Sequence, residues 1–528
     1  MHKSGELSEN EYSKLRPKNA APSRAHGLPK IHKQYDKLPK FRPIIDTVGS
    51  PYYSIGQYLA KLLNPLTHNE LTLKDSFDAA EKIRQLPNTL FDDGYMFVSF
   101  DVESLFTSVP LTRTIDIILK RVYEDKLLTP KINKRNLKKL IYDTCTKTSF
   151  LCNGKFYDQI NGVSMGSSLA PVLANIIMTE LEEKVIQPSI SNGKIRFYGR
   201  YVDDTLLVVK PDDISEIHEL LNKFDPNLKF TVDTFENEVP HFLDLKLCND
   251  GLEIYRKDTN TGLYTNFNSY VPWHYKIAWI KSLVTRAKII CSKNKLKREI
   301  TNIKKFISWN GFPKSIGKRL IDQSLRKDSE TEGKATEPQV RIWFRAPYFG
   351  DKGEQLIKSC IKKLKRHMRK ETSVYFYVKY DTTKLSYFTN SKDMIPTLSK
   401  SFVVYHFSCP GCDAKYIGKT ERTLFERTNE HSWTDKNSAI KKHIDCCPGF
   451  QHILDIKSID ISSLNEMNYK KEVIAKDQVM HTELVRSNIC VIDKSDNWNL
   501  LSIKESLKIK ECRPSLNIGL KCKDLCLF

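Results

Sequence analysis

Two apolar runs that end in acidic residues constrain this chain more than any other feature. MFVSFDVESLF places Asp101 after a strand-like run, and RYVDDTLLVV places Asp203 and Asp204 between two such runs, where an Asp-Asp dipeptide fits a hairpin turn. Carboxylates on adjacent strands can hold two Mg²⁺ ions roughly 3.5–4 Å apart. One ion lowers the pKa of an attacking hydroxyl, and the other neutralises a pyrophosphate leaving group. From 95 to 250, short apolar runs alternate with longer amphipathic stretches, the pattern of an α+β domain built on a sheet.

The chain has 528 residues, 40% hydrophobic and 10% aromatic, enough for more than one core and hence a multidomain protein. Its 84 Lys and Arg against 63 Asp and Glu leave a formal charge of +21, which favours a polyanionic partner whose counterions can be released. The thirteen cysteines are odd in number and scattered, which points to thiols or metal ligands in a reducing compartment rather than a disulfide scaffold. No apolar run approaches the roughly 18 residues that span a bilayer, so a membrane partner is not expected.

Composition divides the chain. Residues 1–20 are polar and lack apolar periodicity, a compact unit runs over 21–250, and 251–325 reads as a helical extension. RKDSETEGKATEPQ marks a linker at 326–340, 341–400 forms a basic connector, and a second globular unit occupies 401–520. Within the connector, IKKLKRHMRK is compatible with a DNA-binding stripe, a nuclear localisation signal or a solvated helix face.

YVDD at 201–204, FDVESLF at 100–106 and NGVSMGSSLAPVLANI at 161–176 resemble, in this order and spacing, the motifs of reverse transcriptases. GLPKIHK at 27–33, FRPI at 41–44 and FLDLKL…YRKDTNTGLY at 242–264 are similar to the Penelope-like branch of that family. The resemblance covers roughly 20–325 and implies a right-hand polymerase with fingers, palm and helical thumb. Asp101 and Asp203 are then the metal ligands, with Asp204 assisting. Arg42 takes the place of the arginine that pairs with the triphosphate, a task suited to a bidentate guanidinium, and Lys30 or Lys33 adds a second cation. Phe106 stands where the family has an aromatic gate against a 2′-hydroxyl. Gly166 would let backbone approach the nucleotide. Met165 occupies a position where retroviral enzymes have glutamine.

Farther on, VVYHFSCPGCDAKYIGKTERTLFERTNEH at 403–431 carries Tyr405 and Tyr416 at the ends of two strand-like runs, then Arg427 and His431 four residues apart on one helical face. Phosphodiester hydrolysis needs an activated water, a cation over the phosphate and a metal for the leaving oxygen. The segment resembles GIY-YIG nucleases, with VVY in place of GIY. LLSIKESLKIKECRPSLN at 500–517 is similar to the same family's metal-binding helix, with Glu505 and the following Asn517. By this resemblance Tyr416 or Tyr405 orients or deprotonates the water, Arg427 binds phosphate and Glu505 holds one Mg²⁺, with His431 as a second choice of base. Cys409 and Cys412 form a CPGC turn preset for a structural Zn²⁺, completed by His443 and His452, either of which Cys446 or Cys447 can replace.

The expected whole is an α+β right-hand polymerase followed by a small α/β GIY-YIG nuclease with a zinc knuckle, acting on dNTPs, an RNA template and target DNA in the nucleus. The function implied is target-primed reverse transcription. The alternatives are a telomerase-like extender of existing ends with an idle nuclease, and a domesticated nucleic-acid binder.

Overall fold

The computed structural model describes residues 1–17, 19–30, 40–87, 89–235, 239–248, 250–326, 340–367, 374–381, 395–461, 471–495 and 497–517. The expected linker at 326–340 lies outside these apart from its two ends.

An antiparallel sheet forms the centre of the first unit, in the order Ile195–Tyr201, Asp204–Val209, Met96–Val102, Phe230–Asp233. Val98, Phe100 and Val102 alternate inward along their strand, as a half-covered strand requires. In TLLVV every residue is buried. Leu207 and Val209 face the main helical core, while Leu206 packs with Leu73, Ala79 and Leu245 on the other side. A strand covered on both faces reads as an unbroken apolar run. The helix Ala170–Leu181 buries residues all round its axis and fills the space beneath the sheet, with Leu111–Leu119 and Lys134–Thr146 beside it.

A second sheet, ordered Phe41–Asp46, Ser23–Pro29, Phe150–Cys152, Lys155–Tyr157, stands next to this core. The polar N-terminus is part of the fold. Ser8 and Glu11 form a capping box for the helix Glu9–Leu15, and Leu7 is buried in the main core.

The boundary expected at 250 falls inside a hairpin, because Leu245–Cys248 pairs with Gly251–Ile254. The helical region therefore begins after Ile254. It is a bundle of Trp273–Ile290, Lys293–Trp309 and Lys314–Arg326 with its own core of Ile280, Val284, Ile303, Phe312 and Ile321. Arg256 anchors it with an Nη1–Oε2 bond of 2.9 Å to the buried Glu299.

The connector is also structured. Val340–Pro347 and Val374–Asp381 pair in parallel over their full length across the helix Gly350–His367. The aromatic and β-branched runs IWF and VYFYV are the strand signal that the basic composition masked.

In the C-terminal unit Val403–Ser408 lies between Lys415–Thr420 and Ile489–Lys494, all antiparallel, over a core that includes Tyr405, Phe407, Leu424, Ile444, Phe450 and Val485. Arg16 pairs with Glu426 at 2.6 Å, so the N-terminal segment touches this unit. Among the described residues no helix is long and apolar enough to cross a membrane.

Candidate functional site

The first site sits at one end of the central sheet. Tyr201 pairs with Asp204, so Val202 and Asp203 form a two-residue turn. Val202 has φ 58°, a left-handed value that a β-branched side chain rarely takes, at a cost of about 1–3 kcal/mol. The turn is held from below by Arg200, which is fully buried and donates to the Val202 carbonyl (3.2 Å) and to Asn175 Oδ1 (2.7 Å). Its charge is met by Glu182, also fully buried, at 2.5 Å, and Asn69 donates to the second Glu182 oxygen at 2.7 Å.

The neighbouring strand brings in Asp101. Ser99 pairs with Leu206, and the same register continued by two residues sets Asp101 opposite Asp204. Thr205 locks this continuation, because its hydroxyl donates to the Phe100 carbonyl (2.6 Å) and accepts from the Phe100 N–H (3.1 Å). Burial, then the charges of Asp203 and Asp101, push the Asp204 carboxyl up to about 6, while Lys257 and Arg42 oppose the shift. Three carboxylates, all exposed to solvent, are gathered at this end of the sheet, and carboxylate oxygens are the ligands that hard divalent cations take.

Arg42 lies on Phe41–Asp46 close enough to act on Asp204, and Lys257, in YRKDTN, is a cation that sequence reasoning did not single out. Lys30 closes the adjoining hairpin through its N–H to the Lys40 carbonyl (2.8 Å). Gly166 has φ 109°, and a Cβ there would lie 2.3 Å from the Ile45 carbonyl oxygen. The close backbone approach it permits is thus to the strand that bears Arg42, where Ile45 N–H also donates to Met165 O at 2.7 Å. Phe106 is half-buried against the main core, and its carbonyl accepts from Val163 N–H at 2.8 Å.

A second constellation occupies the C-terminal unit. Thr423 and Glu426 form a capping box for Leu424–Asn429, which runs into a wider turn over Glu430–Thr434. This path turns both Arg427 and His431 toward Tyr405: Arg427 Nε donates to its hydroxyl at 3.1 Å and His431 Nε2 meets it at 2.5 Å. His431 Nδ1 contacts Ser438 Oγ at 2.5 Å. Burial, then the charge of Arg427, pushes the His431 imidazole down to about 3, so it is neutral at physiological pH. Burial raises the Tyr405 and Tyr416 phenols. Tyr416 is half-buried, with its ring centre 5.7 Å from that of His431.

Asn497 caps the helix Trp498–Cys512, and Glu505, one face along, acts electrostatically on both tyrosines. Its carboxylate pairs with Lys419 at 2.7 Å, a partner placed by the YIGKT strand and absent from the sequence reading. Asn517, expected among the catalytic groups, uses both ends of its amide on the Ile417 backbone (2.9 and 2.7 Å). It braces the strand bearing Tyr416.

Cys409, Cys412, His443 and Cys447 bring their ligand atoms within 4.8 Å of one another. The Cys409–Cys447 and Cys412–Cys447 sulfur separations are 3.9 and 3.8 Å, and Cys412 Sγ lies 3.4 Å from His443 Nε2. Zn–S bonds of about 2.3 Å at tetrahedral angles require edges of about 3.8 Å, so the four residues fit zinc. The expected fourth ligand, His452, is replaced by Cys447 and is exposed outside the cluster. The signal for Cys447 was present: CPG occurs at both 409–411 and 447–449, and the two glycines pack so closely that a Cβ on Gly449 would lie 2.1 Å from the Gly411 carbonyl oxygen.

On this geometry the first site is a cluster of carboxylates with cations beside it. The particular class follows from comparison. Residues 33–238 match the family model of reverse transcriptases (RNA-dependent DNA polymerases), and the chain carries a reverse transcriptase domain there. Residues 263–322, the three-helix bundle, match the animal helix-turn-helix domain. No curated protein matches. Among solved structures, telomerase from Candida albicans in complex with a fragment of telomeric RNA is 14% identical, covering 61% of this chain and 57% of its own, with a TM-score of 0.41. Apo telomerase from Candida tropicalis is 13% identical over 43% of this chain and 54% of its own, at 0.33. A human picobirnavirus RNA-dependent RNA polymerase is 13% identical over 58% and 64%, at 0.35. The chain spans little more than half the length of these two telomerases.

Proposed function

We propose that the chain is an RNA-directed DNA polymerase joined to a GIY-YIG endonuclease, which together carry out target-primed reverse transcription for a Penelope-like retroelement in the nucleus. The observation that carries the reading is the pair of assembled sites: Asp101, Asp203 and Asp204 at the end of one sheet, and Tyr405, Tyr416, Arg427, His431 and Glu505 around another.

In the polymerase, Asp101, Asp203 and Asp204 would hold Mg²⁺, which when bound supplies charge neutralisation for an in-line displacement. Arg42 and Lys257 bring positive charge beside them for the triphosphate. In the nuclease, neutral His431 shares a hydrogen bond with the Tyr405 hydroxyl, which fixes the phenol and leaves Tyr416 as the more accessible group toward a water. Arg427 supplies the phosphate-binding cation. Glu505 would hold one metal ion once Lys419 swings away.

Labelled intact duplex with RNA template, dNTPs and Mg²⁺ tests the coupling. The labelled strand should shorten at discrete sites and then lengthen, because a nick made in cis leaves its 3′-hydroxyl at high effective concentration. Asp203→Ala should cut without extending, and Glu505→Ala should extend only a pre-nicked duplex. If Glu505→Ala extends intact duplex as well as the parent, the primer comes from elsewhere and an end-extending polymerase is the better reading.

A further inference from the structure

The βαβ unit between the helical bundle and the C-terminal sheet has two unlike faces. In a strand pair successive side chains point to opposite sides, so Phe344, Phe376, Val378 and Tyr380 share one face. This face is partly covered: Tyr380 is buried and meets His274 of the bundle, the adjoining Tyr348 meets Tyr270 at 5.1 Å between ring centres, and Phe344 at the far strand stays 37% exposed.

The opposite face has another chemistry. Parallel register sets Arg341 beside Tyr375, Trp343 beside Tyr377 and Arg345 beside Lys379. Trp343 is 65% exposed, Tyr375 49% and Tyr377 37%. The Trp343 and Tyr377 rings lie stacked, 4.6 Å apart at 21°, and so present one continuous aromatic surface. Three cations flank it. Asp381 is the acid that shares the face, and it pairs with Arg345 at 3.2 Å. Lys365, from the crossing helix, places its ammonium 5.6 Å from the Tyr375 ring and 5.9 Å from that of Phe376, at the margin between the two faces.

An exposed indole and phenol flanked by cations is an unfavourable way to end a soluble surface and a favourable way to bind an unpaired polynucleotide. Bases stack on the rings, phosphates meet the cations, and no particular sequence is needed. We propose that this face binds single-stranded RNA. The choice of RNA rests on the reading above: a reverse transcriptase must hold a long unpaired RNA ahead of its site, whereas the DNA it makes is paired as it forms.

The test uses the full chain without dNTPs, so it does not depend on extension. Anisotropy of a labelled oligouridylate of about 20 nucleotides should show Trp343→Ala with Tyr377→Ala binding roughly tenfold more weakly than the parent. Single-stranded DNA should lose less, and Trp343→Phe should bind RNA close to the parent level, with all proteins melting alike. RNA affinity unchanged in the double variant overturns the proposal in favour of a protein-docking face, and a loss that is equal or larger for DNA overturns it in favour of a face for single-stranded DNA. A parent that binds RNA through this face yet cannot extend a primer counts against the proposed function alone.

Discussion

Arg200 and Glu182 form an ion pair in which neither side chain reaches solvent, directly beneath the turn that carries Asp203. Removing one member of such a pair strands a buried charge, so Glu182→Ala should cost about 3–5 kcal/mol, with Glu182→Gln milder. Denaturant midpoints measure this. Primer extension should fall with Glu182→Gln even where the fold is intact, since Arg200, which anchors the strained Val202, would lose its countercharge. A loss under about 1 kcal/mol for the alanine variant would show that the pair is dispensable.

Zinc analysis separates the two candidate ligand sets. Cys447→Ser should lose the metal, whereas His452→Ala should retain about one zinc per chain. Chelation should unfold the C-terminal unit and leave extension of a supplied primer intact. Full metal content in Cys447→Ser would rule out the cluster as drawn.

The pH response of the C-terminal unit should follow His431. Its imidazole is held at about 3 when folded, against an unfolded value of about 6.5, so the unfolded chain takes up the proton first. Stability is full above pH 6.5 and drains as pH falls toward 3, with about 2 kcal/mol lost between pH 7 and 5. Other buried histidines add to this slope, so the difference between parent and His431→Gln is the measurement. Equal slopes would contradict the assignment.

Phe106→Val should raise ribonucleotide incorporation relative to deoxyribonucleotide, measured as a ratio of single-addition rates. Phe106 also packs against the main core. If both rates fall together, that packing is its role.

Where the residues of both sites come to lie was largely legible because local pattern positions them. Asp101, Asp203 and Asp204 end apolar runs, and Tyr405, Arg427 and His431 keep the spacing that brings them to one hydroxyl. What escaped depends on the third dimension. Arg200 inside YGRYV reads as an exposed strand residue until Glu182, eighteen positions earlier, is seen beneath it. Cys447 and His452 are equal on spacing, and only the packing of the two CPG turns chooses between them. The parallel pair across Gly350–His367 was hidden because the lysines of the crossing helix outweighed the aromatic and β-branched runs of its strands.

The brace formed by Ser515, Leu516 and Asn517 has a meaning beyond the site. Lys415–Thr420 is an edge strand, and its outer groups are taken up by Ser515 Oγ to Lys415 N–H, Leu516 N–H to Lys415 O, and the Asn517 amide on Ile417. These three residues act as a selvedge that stops the sheet from recruiting another chain. A protein ending before Ser515 would offer KYIGKT as an open template to its own copies. Its light scattering should then climb with concentration while the intact chain stays clear.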